Sequence, residues 1–199
     1  MRLSTRQEPV PWTASESSFS TPKSSATAGA NDLPFGGDIV PFGAVGEICV
    51  RGYLVMDGYL GDPAATSAAI DDAGWLRTGD LGSIDERGYL RIHGRVKEMI
   101  IRGGENIYPR EIEDVLLGHP AVAQVAVVGV ASAFWGEEVG AVIILAGAAA
   151  PDPEELRAFC RRRLAAFKTP AHWLFVNSFP LTATGKVRKD VLSTRFAGA

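Results

Sequence analysis

The chain has 199 residues, 46% hydrophobic and 22% charged, the composition of an ordinary folded protein of one or two domains. Twenty Lys plus Arg stand against 23 Asp plus Glu, a formal net charge of −3, which excludes a global basic field for nucleic acid or acidic membranes. Cys49 and Cys160 lie far apart, without the spacing of a zinc or cluster site.

The longest apolar stretch, Val139 to Ala150, is interrupted by Gly140 and Gly147 and falls short of the roughly 20 residues that span a bilayer. No apolar core follows Met1-Arg2, so neither a transmembrane segment nor a secretory signal is expected, and a reducing cytoplasm fits.

Residues 1–37 are rich in Ser, Thr, Pro and Ala and lack a hydrophobic period, which predicts disorder. From Ile39 short β-branched runs appear, at Gly46 to Gly52, Trp75-Leu76 and Gly88 to His93. A short helix fits Pro63 to Ile70, with proline at an early position. Residues 38–94 therefore read as a small β-rich unit.

After Gly94 the texture changes. A strand near Glu98 to Arg102 leads through Gly103-Gly104 to a helix from Pro109 to about Gly118. Two strands follow, Ala121 to Val130 and Val139 to Leu145, joined by a loop. Asp152-Pro153-Glu154-Glu155 combines a cap, a first-turn proline and acids at the positive end of the dipole, starting a helix to about Ala166. A strand at Trp173 to Val176 and a short helix after Lys189 complete a β-α-β-β-α-β pattern. Residues 95–199 thus form a compact α+β domain.

Three polar clusters are candidates for chemistry. In Leu76-Arg77-Thr78-Gly79-Asp80-Leu81, a carboxylate just past a glycine can accept two hydroxyl hydrogen bonds from a vicinal diol, although Gly-Asp alone is also an ordinary turn. The second cluster runs from Gly94-Arg95-Val96-Lys97-Glu98 to Gly103-Gly104-Glu105-Asn106-Ile107-Tyr108-Pro109 and Glu111-Ile112-Glu113, at the boundary between the two units. Its glycines permit unusual dihedrals or close approach of a ligand, and equally a plain glycine hairpin. The third, Pro180 to Lys189, places Lys186 after Gly185 in a threonine-containing loop; it lacks the upstream glycine and following Ser/Thr of a P-loop.

In this order, the clusters resemble the C-terminal third of the acyl-adenylate-forming (AMP-binding) ligases, which include acyl-CoA synthetases, luciferases and peptide-synthetase adenylation domains. The resemblance runs from about Val45 to Leu192 and takes in Met56-Asp57-Gly58-Tyr59 and Gly74-Trp75. Ile101 to Pro109 looks most like fatty and other acyl-CoA synthetases.

What the resemblance implies is a two-step reaction. A carboxylic acid, with a fatty acid the expected kind, attacks ATP to form an acyl-adenylate and pyrophosphate, and coenzyme A then displaces AMP. By that resemblance Asp80 binds the ribose hydroxyls, Arg95 the ribose or phosphates, and Lys186 is the catalytic cation between carboxylate and α-phosphate. Lys97 stands at the hinge about which the C-terminal domain swings. Gly103, Gly104 and Glu105 come to lie near the pantetheine of coenzyme A. Asn106 stands where some members carry arginine and takes no phosphate role. ATP with Mg2+ and coenzyme A are the co-substrates implied, none assigned to this segment by itself, and no metal ligand is identified.

The same resemblance puts the phosphate loop, adenine site and acyl pocket in an upstream portion that 199 residues cannot contain. Residues 38–94 are then a remnant of the large ATP-binding domain, and 95–199 the mobile domain. The expectation is a truncated or split acyl-CoA synthetase, inactive alone and completed by a separate N-terminal portion. The alternative is a nonenzymatic interaction module built on the same domain.

Overall fold

The computed structural model describes residues 17–20, 39–147 and 151–196, with the backbone alone at 17–20. The chain divides into two units, Met1–Ile92 and His93–Ala199.

The first unit is built on a four-stranded sheet, β1 (Ser17–Ser20), β2 (Gly46–Val50), β3 (Leu76–Ile84) and β4 (Leu90–Arg95), in that spatial order. β4 continues three residues into the second unit. Ser17–Ser20, inside the stretch read as disordered, forms a strand antiparallel to β2. Pairing along an open edge draws on backbone groups, so no apolar period was needed. The rest of residues 1–37 lies outside the described residues.

Helix α1 (Pro63–Ala69) starts where expected: Asp62 caps it by accepting from the Ala65 N–H at 2.8 Å, and Pro63 takes the first position. Asp71 then accepts from the amides of Ala73 and Trp75, turning the chain into β3. β3 is nine residues long, so Asp80 lies within a strand, not in a turn after one. Ile48, Cys49, Trp75 and Leu81 are buried in this unit.

The second unit is an α+β domain. Its five-stranded sheet contains β5 (Ile100–Arg102), β6 (Glu105–Ile107), β7 (Val122–Ser132), β8 (Gly136–Leu145) and β9 (His172–Phe175). β7 and β8 form a long antiparallel hairpin, and β9 runs parallel to β8 from Gly140↔His172 to Ile143↔Phe175. The loop expected between Val130 and Val139 is therefore mostly strand, because backbone pairing carries on to Ser132↔Gly136. Residues after Gly104 form β6, a strand too short for a periodic signal.

Two layers of helix cover the sheet. Helices α2 (Pro109–Leu117) and α3 (Pro153–Arg161) pack Ile112, Leu116, Leu156 and Cys160 against Val127, Ala141 and Ile143. Helix α4 (Lys189–Thr194) places Leu192 against Ala126, Val128 and Val142 on the other side. Adjacent positions on β7 and β8 thus serve opposite cores, as the two-residue period of a strand requires. α3 ends earlier than its periodicity suggests, and a separate 3-10 turn covers Ala166–Lys168. Among the described residues no helix is long and apolar enough to cross a membrane.

Candidate functional site

Asp80 owes its setting to a bulge. Glu47 pairs with Leu81 and Cys49 with Arg77, so Thr78, Gly79 and Asp80 stand opposite Ile48 alone. Gly79 takes φ +73°, a left-handed conformation that suits glycine.

The Glu47 carboxylate, only 3% exposed, fills the bulge. One oxygen accepts from Arg77 Nε at 3.0 Å and Nη2 at 2.6 Å; the other accepts from the Gly79 N–H at 3.2 Å. Hydrogen bonding to Glu47 raises the Arg77 pKa further above its ordinary value. Thr78 Oγ1 donates to the Ile48 carbonyl and accepts from the Asp80 N–H. These contacts determine the backbone on which the half-buried Asp80 is carried.

Lys186 is presented by a loop that closes on itself. Leu181 and Val187 bridge, the Thr182 N–H donates to the Lys186 carbonyl at 2.8 Å, and the Lys186 N–H donates to Thr182 Oγ1 at 3.0 Å. Gly185 supplies the turn with φ +80°. The backbone is thereby restrained while the ammonium stays exposed.

Lys186 shares an open concavity of about 740 Å³ with Arg95, Lys97, Arg188 and Lys189. Two of these cations are committed to carboxylates: Arg188 to Asp190 at 2.9 Å, and Lys189 to Glu113 at 2.8 Å and Glu98 at 3.1 Å. Lys97 and Lys186 have no ion-pair partner among the described residues. Glu98, Glu137 and Asp190 also line it, but the cations outnumber them, and those two lysines suit the concavity to an anion. Lys97 lies in the 3-10 turn Val96–Glu98 that follows β4.

Gly103 and Gly104 sit elsewhere in this domain, at the tip of the β5–β6 hairpin. With φ +58° and +90° they form the two-residue turn between Arg102 and Glu105. The hairpin accounts for both glycines through their backbone. A Cβ on Gly103 would come within 2.8 Å of the Trp135 ring. The Arg102 guanidinium lies 4.4 Å from the centroid of that ring, and Phe134 packs edge-on against it. Glu105 and Asn106 are exposed on β6.

The structure therefore brings Arg95, Lys97 and Lys186 to one concavity, places Gly103 to Glu105 outside it, and carries Asp80 in the other unit. Sequence reasoning assigned no part to Glu47, Trp135 or the Glu98–Lys189–Glu113 group. A charge between apolar neighbours at Glu47 was the available signal for the first, but a pair separated by 30 residues declares itself only on folding. Among the described residues there is no group of three or more His, Cys, Asp or Glu placed to hold a metal ion.

Residues 111–186 match the family described as AMP-binding enzyme C-terminal domain. The chain belongs to the adenylate-forming, AMP-binding ligases, of which it carries the C-terminal part.

Among its relatives is YngI of Bacillus subtilis (strain 168), 53% identical over 147 residues, covering 74% of this chain and 27% of that one. The mitochondrial medium-chain acyl-CoA ligase ACSF2 of Rattus norvegicus is 46% identical over 153 residues, covering 77% of this chain and 25% of the relative. ATP-bound MatB from Rhodopseudomonas palustris is a structural neighbour with a TM-score of 0.79 and 36% identity, covering 92% of this chain and 34% of MatB. Another is the o-succinylbenzoate CoA synthetase MenE of Bacillus subtilis in complex with its acyl-adenylate intermediate, with a TM-score of 0.74, 34% identity, and coverage of 89% and 34%. The chain spans about a quarter of the length of the curated relatives it matches.

Proposed function

We propose that this chain works as the C-terminal part of an acyl-CoA synthetase, which turns a carboxylic acid, ATP and coenzyme A into acyl-CoA, AMP and pyrophosphate. The name of the ACSF2 relatives makes medium-chain fatty acids the first substrates to try. The observation that carries the reading is Lys186, held in a self-closed loop beside Arg95 and Lys97 at an open cationic concavity.

In the first step a carboxylate oxygen bonds to the α-phosphorus of ATP as the bond to pyrophosphate breaks. Negative charge then gathers on the α-phosphoryl oxygens, where the Lys186 ammonium stabilises it. Arg95 neutralises the nucleotide at the ribose or phosphates, and Asp80 accepts from the two ribose hydroxyls. In the second step the sulfur of coenzyme A attacks the acyl carbon and AMP departs. Rotation about Lys97 withdraws Lys186 between the steps and brings Gly103, Gly104 and Glu105 beside the pantetheine.

Charge alone does not catalyse, because a lysine accelerates only a reactant held against it. These residues therefore need a complementary phosphate-loop and acyl-pocket portion, supplied in the same chain or in trans, and the 199-residue segment by itself does not turn over.

The test is acid-dependent exchange between ATP and pyrophosphate. The chain alone should give none; adding a large ligase portion should restore exchange with fatty acids of medium length. Lys186→Ala should then lower the rate at least about 100-fold, as loss of a charge-stabilising group does. Restored exchange that is indifferent to Lys186→Ala would overturn the assignment. A stable complex with an unrelated protein, unaffected by Lys186→Ala and Asp80→Ala, would favour an interaction module instead.

A further inference from the structure

The reading of Lys97 as hinge and Lys186 as catalytic cation leaves a mechanical question. The hinge turn and the lysine loop are about 90 residues apart in sequence, yet both must hold a defined position within the domain for its swing to deliver one ammonium to one phosphate. The bonds within each segment leave open how it is fixed against the rest of the domain. The turn Val96–Glu98 has no buried residue and no side-chain cap, and its closing bond, Met99 N–H to the Val96 carbonyl, is long at 3.3 Å. The loop Thr182–Lys186 is closed but exposed.

Resting on that reading, we propose that Lys189 is a positioning residue, whose ion triad with Glu98 and Glu113 ties the hinge turn to the Lys186 loop so that the two move as one body. Lys189 Nζ lies 2.8 Å from Glu113 Oε1 and 3.1 Å from Glu98 Oε2. All three side chains are partly or largely buried, at 22%, 14% and 31% exposure, so water screens these pairs less than the exposed ones elsewhere on the domain.

Each member is anchored from behind. Glu113 belongs to α2, and the same Oε1 accepts from the Val127 N–H of β7 at 2.9 Å, joining helix to central sheet. Lys189 opens α4, where Leu192 is fully buried, and follows Arg188, whose N–H donates to the Pro180 carbonyl at the other end of the loop. Glu98 ends the hinge turn, two residues before the buried Ile100 of β5.

One ammonium therefore meets the hinge turn, the α2–β7 junction and the outgoing stem of the lysine loop. A group of two carboxylates and one cation leaves an uncompensated negative charge facing itself if the cation is removed. Loss of Lys189 accordingly releases Glu98 rather than merely weakening one contact. The long stem of lysine suits this place, since a charge must reach both carboxylates from the first position of a helix.

The experiment is hydrogen exchange on the full 199-residue chain, read peptide by peptide. Lys189→Met keeps the stem and removes the charge. It should raise exchange about tenfold in both Val96–Met99 and Thr182–Val187, with Val122–Leu145 changed less than about twofold. Lys189→Arg should restore protection, Glu98→Gln should loosen the same two segments, and the double variant should be no worse than Lys189→Met. Arg110→Gln, which removes an exposed pair with Asp114, should leave both segments as they are.

Unchanged exchange, or loosening of the loop without the turn, overturns the proposal. Should Lys189→Met unfold the domain, Glu98→Gln, whose surroundings are more exposed, decides the matter by the same two segments. In the complemented ATP–pyrophosphate assay, Lys189→Met should lower kcat about tenfold with KM for ATP within about twofold, and Lys189→Arg should recover most of it. Absence of exchange in the complemented wild type counts against the ligase reading and leaves the hydrogen-exchange result to decide the triad.

Discussion

The two sheets hold their candidate functional side chains in opposite ways. In the His93–Ala199 domain a sheet is covered on both faces, with Ile112, Leu116 and Leu156 on one side and Leu192 on the other at essentially no exposure. Lys186 sits on a loop at the margin of that core. Among the described residues of the first unit Ile48, Cys49, Trp75 and Leu81 are the buried apolar side chains, while Tyr53, Leu54 and Leu60 are exposed. There the backbone of Asp80 is held chiefly by the Glu47 carboxylate. A packed core carries an exposed, self-closed loop at its edge; the thinner sheet relies on one buried carboxylate to shape the strand that carries Asp80.

The contrast can be broken most sharply through the core. Leu156→Ala should cost about 2–5 kcal/mol and lower the urea midpoint of the His93–Ala199 domain, while exchange protection of β2 and β3 persists. A common loss of protection in both units would erase the distinction.

Next comes alkali. Burial in the α3 core pushes the Cys160 thiol up to about 11 from an ordinary 9.0. A folded pKa above the unfolded one means stability is fully present below pH 9 and is lost as pH rises through 11. The loss approaches about 2–3 kcal/mol, and Cys160→Ala should flatten this part of the urea-midpoint profile. The same burial should keep Cys160 unreactive toward thiol reagents at about pH 8 until the domain unfolds.

Glu47→Ala should cost about 2 kcal/mol, less than a fully buried pair, because Arg77 is 36% exposed and can turn to water. Hydrogen exchange should rise from Arg77 to Leu81 and stay unchanged in the second unit. The smallest effect expected is about 1–2 kcal/mol for Gly103→Ala, where a left-handed φ and a 2.8 Å approach to Trp135 coincide. Its reporter is Trp135 fluorescence, which should shift as the ring moves aside.

Much of this fold is legible in the chain itself. Caps and prolines mark the starts of α1, α2 and α3, at Asp62-Pro63, Pro109 and Asp152-Pro153, because those signals act within one turn of helix. The β7–β8 hairpin is visible as two β-branched runs, but its length is not. Pairing runs on to Ser132↔Gly136, so the loop is confined to the tip that carries Phe134 and Trp135. β1 and β6 escape notice because short edge strands take their order from a neighbour's open backbone. Among the candidate site residues, Asp80, Arg95, Lys97 and Lys186 stand out by residue type and motif order. Glu47 and Lys189 do not, since their importance lies in partners 30 and 76 residues away.

The sequence by itself determined the family, the α+β class and the residues that carry charge, because motif order, caps and hydrophobic periods are local properties of the chain. Only the tertiary structure decided that Thr78-Gly79-Asp80 bulges from a strand around a buried carboxylate, and that Lys189 meets both Glu98 and Glu113. Both depend on bringing distant charges together out of water, where a few ångströms of separation decide whether an ion pair stabilises the fold or costs it.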